Sequence, residues 1–299
     1  MELKDIFEKA SSEWVRFSKY EIQEKDGREY ITPAADSELT IINPLQSVEL
    51  LILDALNTGR IIYDLNIKET QKREALMNFV HRYGLLGLMT NLPLVGGFME
   101  SELVLLGKTP FFDEDIMDSK EYIWSFMPFG VKEGQPKIDK HPIPATLLTG
   151  RALEFSIVFS RNYSERLDWV MAFFKEFFIN FAQCKMYAIT DNPAEKRSYA
   201  EKIPGFAVHN LSFHLEMDDK PVMVWDFNSL KMAIETVYAV SVTRADAALR
   251  MCKHCGAAFY ATHGRSEFCG DKCRNQYNVY RFREREREKE TKKANNKKK

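Results

Sequence analysis

Four of the chain's five cysteines fall within 22 residues: Cys252, Cys255, Cys269 and Cys273. Two residues separate the first pair, thirteen lie between the pairs, and three separate the second pair. A two-residue gap lets both sulfurs of a tight knuckle turn toward one ion, while backbone amides of the turn stabilise the thiolates. A spacing of four places the second pair on one face at the start of a helix. Four thiolates at about 2.3 Å complete a tetrahedral shell and leave no position for water. The expected cofactor is therefore one structural Zn2+ per chain. A disulfide would need an oxidising compartment, and the spacings match neither ferredoxin pattern of an iron–sulfur cluster. His254 and His263 also lie in this stretch, but the four cysteines already fill the shell.

The residues that follow suit an anionic partner. If the helix begun at Cys269 continues, Arg274, Asn278, Arg281 and Arg285 share one face. Gln276, Tyr280, Arg283 and Arg287 form a second stripe, and Lys253, Arg265 and Lys272 add charge around the cysteines. Arg, Asn and Gln can bond base edges as well as phosphates, and Tyr can stack on bases. Residues 250–299 carry a net charge of +9 and residues 1–249 a net of -10, an acidic body with a basic arm. Nucleic acid, DNA before RNA, is the expected partner. The plainer alternatives are a solvated charged helix over Arg283 to Glu290, or an arm that docks on its own body.

Several elements must position this module. Leu3, Ile6, Phe7, Ala10, Trp14 and Phe17 recur at helical spacing and predict a short N-terminal helix. Asp26-Gly27 marks a hairpin within Tyr20 to Ile31. Asn43 and Pro44 open a helix that Gly59 should stop, and another helix over Lys68 to Tyr83 should end at Gly84. Tyr83 to Met99 is uncharged but interrupted by glycines and a proline, so it reads as a helix end and buried loop rather than a membrane span. Residues 107–150 hold five of eleven prolines and read mostly as loop. Phe173, Phe174, Phe177, Phe178 and Phe181 mark the core face of a long helix over Glu165 to Tyr187. Leu211 to Met217 and Val222 to Trp225 read as a second hairpin, and a helix from Ser229 leads into the cysteines.

The run Met251-Cys252-Lys253-His254-Cys255-Gly256, with Phe259 and Phe268-Cys269-Gly270-Asp271-Lys272-Cys273-Arg274-Asn275, resembles treble-clef zinc fingers. Among these it looks most like bacterial CGNR-type fingers, which close a larger domain. Arg274-Asn275-Gln276 stands where that family has Gly-Asn-Arg, and only Asn275 keeps its place. The resemblance covers roughly residues 230–283 and implies a bacterial DNA-binding transcriptional regulator, with a body that could receive a small-molecule effector. The body offers only a general similarity, through Phe79-Val80-His81-Arg82-Tyr83-Gly84-Leu85-Leu86-Gly87.

Other signals fail on inspection. Gly107-Lys108-Thr109 ends like a phosphate loop, but Glu102 stands where the first glycine belongs. Asp113, Glu114, Asp115 and Asp118 lack the glycine and closing glutamate of a calcium loop. Cys184 reads as a buried thiol, and His209 and His214 have no ligand or triad pattern around them. No catalytic residue is assigned.

The resulting expectation is an α+β chain: a mainly helical body over 1–249 with short hairpins, a treble-clef-like zinc module over 250–283, and a basic, disordered tail over 284–299. With charge from Glu2 onward and no apolar leader, it is expected to be cytoplasmic and off the membrane. Oligomeric state is open. A protein-interaction adaptor, and an enzyme with a dispersed site in the body, are the competing readings.

Overall fold

The Asp26-Gly27 pair adopts positive φ at both residues, 53° and 73°, the backbone that a tight hairpin of right-twisted strands requires. In the computed structural model it joins β3 (Tyr20–Lys25) to β4 (Arg28–Pro33), as expected. The structure describes residues 7, 10–11, 13–95, 98, 101–107, 111–130, 150–203, 207–208, 211–244, 248–261 and 263–296.

Upstream lie β1 (Ala10–Ser11) and β2 (Trp14–Phe17); the latter pairs antiparallel with β5 (Leu39–Ile42). The expected N-terminal helix is thus overturned at Trp14 and Phe17. Trp14, Val15 and Phe17 are all buried, and a two-sided apolar burial of aromatic and β-branched residues suits a strand. Leu3 and Ile6 lie outside the described residues.

Asn43 accepts a hydrogen bond from the Leu45 N–H and caps a short 3-10 turn, Pro44–Ser47, that runs into α1 (Val48–Tyr63). Gly59 does not stop this helix. It lets α1 press against the long helix α6 described below: a Cβ there would meet the Phe174 carbonyl oxygen at 2.1 Å. The next helix, α2 (Glu69–Tyr83), ends at Gly84 as expected. The stretch from Tyr83 to Pro93 is buried, with one short helix, α3 (Leu88–Asn91), inside it. Next come β6 (Leu103–Leu105), β7 (Ile116–Asp118) and α4 (Ser119–Trp124), so part of the expected Pro-rich loop is ordered structure. Asp118 is the N-cap of α4, accepting from the Lys120 and Glu121 N–H groups, rather than a calcium ligand.

After α5 (Gly150–Val158) and β8 (Glu165–Arg166), the 23-residue α6 (Leu167–Ile189) crosses the core. Its Phe173, Phe174, Phe177, Phe178 and Phe181 are all buried, so the Phe stripe is core. They pack with Leu51, Ile52, Ala55 and Leu56 of α1 in one cluster. Glu165 is buried in this body, where its carboxylate accepts from the Leu86 and Leu88 N–H groups and from the Tyr163 hydroxyl. Burial holds its pKa above the usual carboxylate value even though these bonds favour the charge. Together with the Trp14 indole bonded to the Leu85 carbonyl, it fixes the loop that the Phe79 to Gly87 stretch contains.

Beyond α7 (Pro193–Lys202), the hairpin β9 (Ser212–Met217) and β10 (Pro221–Asp226) forms as expected. β1 pairs parallel to β10 on its other side, giving a sheet ordered β1-β10-β9. The chain closes with α8 (Leu230–Thr243), the hairpin β11 (Leu249–Met251) and β12 (Ala258–Tyr260), and α9 (Asp271–Asn296). The fold is therefore α+β, mainly helical with short hairpins. Among the described residues, no helix is long and apolar enough to cross a membrane.

Candidate metal centre and basic helix

The hairpin β11–β12 holds the knuckle at its tip. Cys252 N–H donates to the Ala257 carbonyl and Gly256 N–H to the Cys252 carbonyl, which curls Cys252 to Cys255 into a tight turn. Cys269 precedes α9 and Cys273 sits in its first turn, so both face the knuckle. The four sulfurs lie within 4.8 Å of one another, with Cys255 to Cys269 at 3.7 Å and Cys269 to Cys273 at 3.5 Å. Sulfurs bound at about 2.3 Å to one tetrahedral ion stand about 3.8 Å apart. The donor set therefore fits a structural metal, and the spacing-based ligand assignment is the one the fold brings together. Among the described residues, it is the only such group of potential ligands.

The thiols do not ionise alike. Burial opposes ionisation of Cys252, but backbone N–H groups of Cys255, Cys269 and His254 outweigh it and bring the thiol down to about 7. Cys269 is pushed well up, first by burial and then by the neighbouring Cys273, Cys252 and Cys255. Once one thiolate exists, the next is disfavoured at this range. A divalent cation removes that conflict, which is how four thiolates can coexist here.

His254 is not part of the sulfur cluster. Its ring stacks on Tyr280 with centroids 5.7 Å apart and its Nε2 lies 3.1 Å from the Gln276 Oε1, so it ties the knuckle to α9. Phe268 adds a ring contact with Tyr277 at 5.2 Å. These packing roles were hidden in the sequence, because they pair residues on separate turns of chain.

The finger is not separate from the body. The expected boundary between 249 and 250 falls inside β11, and Leu249 and Ala258 belong to the main core. Arg60 of α1 also donates to the Cys255 carbonyl at 3.4 Å.

From Asn278 to Glu290 every side chain of α9 is exposed except the half-buried Glu286. Residues 284–296, expected as disordered tail, continue the helix, supported by i,i+3 pairs of Arg281 with Glu284 and Lys289 with Glu286. Lys297 to Lys299 lie outside the described residues. With 3.6 residues per turn, Arg274, Asn278, Arg281 and Arg285 fall on one face together with Lys289, a stripe about 22 Å long. Lys272 and Arg283 fall on the far side of the helix.

Lys253 pairs with Glu267 at 2.5 Å and Arg274 with Asp271 at 2.9 Å. Arg265 and Arg274 line a groove of about 520 Å³ beside the metal centre, with Phe259, His263 and Phe268. A second groove of about 810 Å³ runs along the other flank past Lys253, His254, Tyr280, Arg283 and Arg287. Val279 and Phe282, one turn apart, are exposed apolar residues that the charged pattern around them masks in the sequence.

Elsewhere, Cys184 is only half-buried and shares Asn180 with the Tyr238 hydroxyl. His214 lies between Asp226 and Glu216 on the polar face of β9, as its alternation predicts; His209 lies outside the described residues.

Comparison with protein-family models, with curated proteins and with solved structures finds no match.

Proposed function

We propose that the chain is a zinc-stabilised nucleic-acid-binding protein that acts on double-stranded DNA. The observation that carries this reading is the basic stripe on an exposed helix whose first turn is held by the four-cysteine centre. Zinc suits four thiolates in a closed tetrahedral set and gives the helix a rigid root. The i,i+3 ion pairs of Arg274 and Arg281 are exposed and worth little in water, so phosphates can replace their acidic partners. An α-helix fits the major groove, where Arg and Asn can reach base edges. A role as a bacterial regulator whose body receives an effector rests on the resemblance to CGNR-type fingers.

The test is a titration of labelled duplex at several salt concentrations, repeated with single-stranded RNA. If the arm neutralises roughly five phosphates, duplex affinity falls about two to three decades between 50 and 200 mM salt. No binding to either nucleic acid at low salt, with the metal site full, rejects the reading. A protein-interaction adaptor then takes its place, favoured by the exposed Val279 and Phe282 on the same helix.

A further inference from the structure

We infer that the outer edge of β9 pairs with the same edge of a second copy, antiparallel and centred on Leu215, so that the chain forms a two-fold dimer. This goes beyond the nucleic-acid reading and does not rest on it.

The direction of the backbone groups comes first. In the β9–β10 hairpin, Asp218 N–H donates to the Lys220 carbonyl, and Pro221 has no N–H to give Met217, its partner in register. Bonded and non-bonded pairs alternate along an antiparallel ladder. Glu216 with Val222 and His214 with Val224 are then the pairs that exchange bonds inside the hairpin. The N–H and C=O groups of Phe213, Leu215 and Met217 point to the other side. Among the described residues, no strand pairs with that side, because β9 ends the sheet.

The side chains supply the second argument. Phe213, Leu215 and Met217 are 59%, 70% and 76% exposed, unusual for three large apolar residues on one strand. The strand Ser212–Met217 carries no proline, lysine or arginine, the usual devices that protect an edge.

Self-complementarity selects the occupant. Placed antiparallel about Leu215, the sequence Phe213-His214-Leu215-Glu216-Met217 meets itself as Phe with Met, His with Glu, and Leu with Leu. Leu215 meets its own copy as a bonded pair, and Phe213 and Met217 do the same across the axis, on the order of six hydrogen bonds in all. His214 faces Glu216 of the second copy in the closer, non-bonded positions. Each copy uses the same patch, so the contact closes at two chains and leaves no free β9 edge to extend.

The test uses the full, metal-loaded chain. Sedimentation equilibrium should show a monomer–dimer equilibrium, and L215K, which sets like charges face to face at the axis, should weaken it by roughly tenfold or more. Leu215 is exposed in the monomer, so metal content and thermal stability should stay at parental values. Cysteine substitution reads the register directly. Bonded antiparallel partners have Cα atoms about 5.5 Å apart, within the disulfide range. Under mild oxidation that leaves the parent chain uncrosslinked, L215C should form a covalent dimer. F213C and M217C should each fail alone but crosslink when the two chains are mixed. A chain that is monomeric at all concentrations, a dimer indifferent to L215K, or crosslinking of F213C to itself as readily as L215C would overturn the proposal.

Discussion

The side-chain amide of Asn57 closes on the backbone of Ala258: it accepts from the Ala258 N–H at 2.9 Å and donates to the Ala258 carbonyl at 3.2 Å. A residue in the second turn from the end of α1 thus completes the free edge of β12, 201 positions along the chain. The relationship makes the hairpin beneath the metal centre a part of the body. The cysteine knuckle is the tip of a hairpin whose base, through Leu249 and Ala258, belongs to the main core.

Asn57→Ala should therefore loosen the finger without touching a cysteine. It leaves one partly buried donor and one acceptor on Ala258 unpaired, a loss of about 1–3 kcal/mol. Chemical denaturation of the metal-loaded chain should show the loss, and hydrogen exchange should show it first at residues 249–260. Unchanged exchange in that hairpin would mean that the core contacts of Leu249 and Ala258 hold it alone.

Gly59→Ala tests the packing of α1 on α6. The added Cβ meets the Phe174 carbonyl oxygen at 2.1 Å, a backbone atom that cannot rotate away. The two helices must separate, at a cost of about 1–3 kcal/mol or more. A thermal melt of the variant should drop by several degrees, whereas an unchanged melt would contradict the close approach.

Much of this was legible in the sequence, for local reasons. The Asp26-Gly27 hairpin, the Asn43 cap and the Phe stripe each declare themselves within a few residues, and so does the four-cysteine set. The misreadings share a different cause. Trp14 and Phe17 satisfy helical spacing by coincidence, and only their pairing with Leu39–Ile42 shows that the segment is a strand. Gly59 reads locally as a helix stop, while its purpose is contact with a helix more than a hundred residues away. The finger's dependence on Asn57 was invisible for the same reason. Nothing near Asn57 marks it as the partner of a strand at the other end of the chain.

The metal should bind at about one equivalent per chain, as a closed four-cysteine set requires. A Cys255→Ser, Cys273→Ser double variant should lose it, as measured by metal analysis of purified protein. Chelation should release the first turn of α9 and the loop over residues 263–270, because these lack a core of their own, while β11 and β12 stay docked through Leu249, Ala258 and Asn57. Hydrogen exchange with and without chelator separates the two regions. Metal retained at full occupancy by the double variant would exclude the ligand set.

His214 should titrate above its ordinary value of 6.5. Its hydrogen bond to Asp226 is the main cause and the bond to Glu216 the second, both favouring the protonated ring. The native state then holds this proton more tightly than the unfolded chain does. Its stabilising contribution is fully present below about pH 6.5 and is lost as pH rises through the raised folded value. Proton resonances of the ring should report the midpoint, and Asp226→Asn should bring it down. A midpoint at or below 6.5 in the parent chain would show that these contacts do not form in solution.

The charged and the exposed apolar side chains of α9 allow the nucleic-acid and adaptor readings to be separated in one experiment. Arg281→Ala and Arg285→Ala each remove a charge from the stripe and should weaken duplex binding, each flattening the salt slope by about one counterion. Neither residue is a ligand, so metal content should not change. Val279→Ala and Phe282→Ala remove exposed apolar surface and leave the charges in place. They should leave duplex affinity within about twofold, since sequence-independent affinity comes from phosphate contacts. Asn278→Ala adds a further distinction. If Asn278 bonds an adenine edge, its loss should narrow the gap between preferred and random sequence by about 1–3 kcal/mol without altering the salt slope. Duplex binding that ignores both arginines would exclude the stripe as the contact surface. If Val279 and Phe282 alone proved decisive, the helix would be a docking surface for protein.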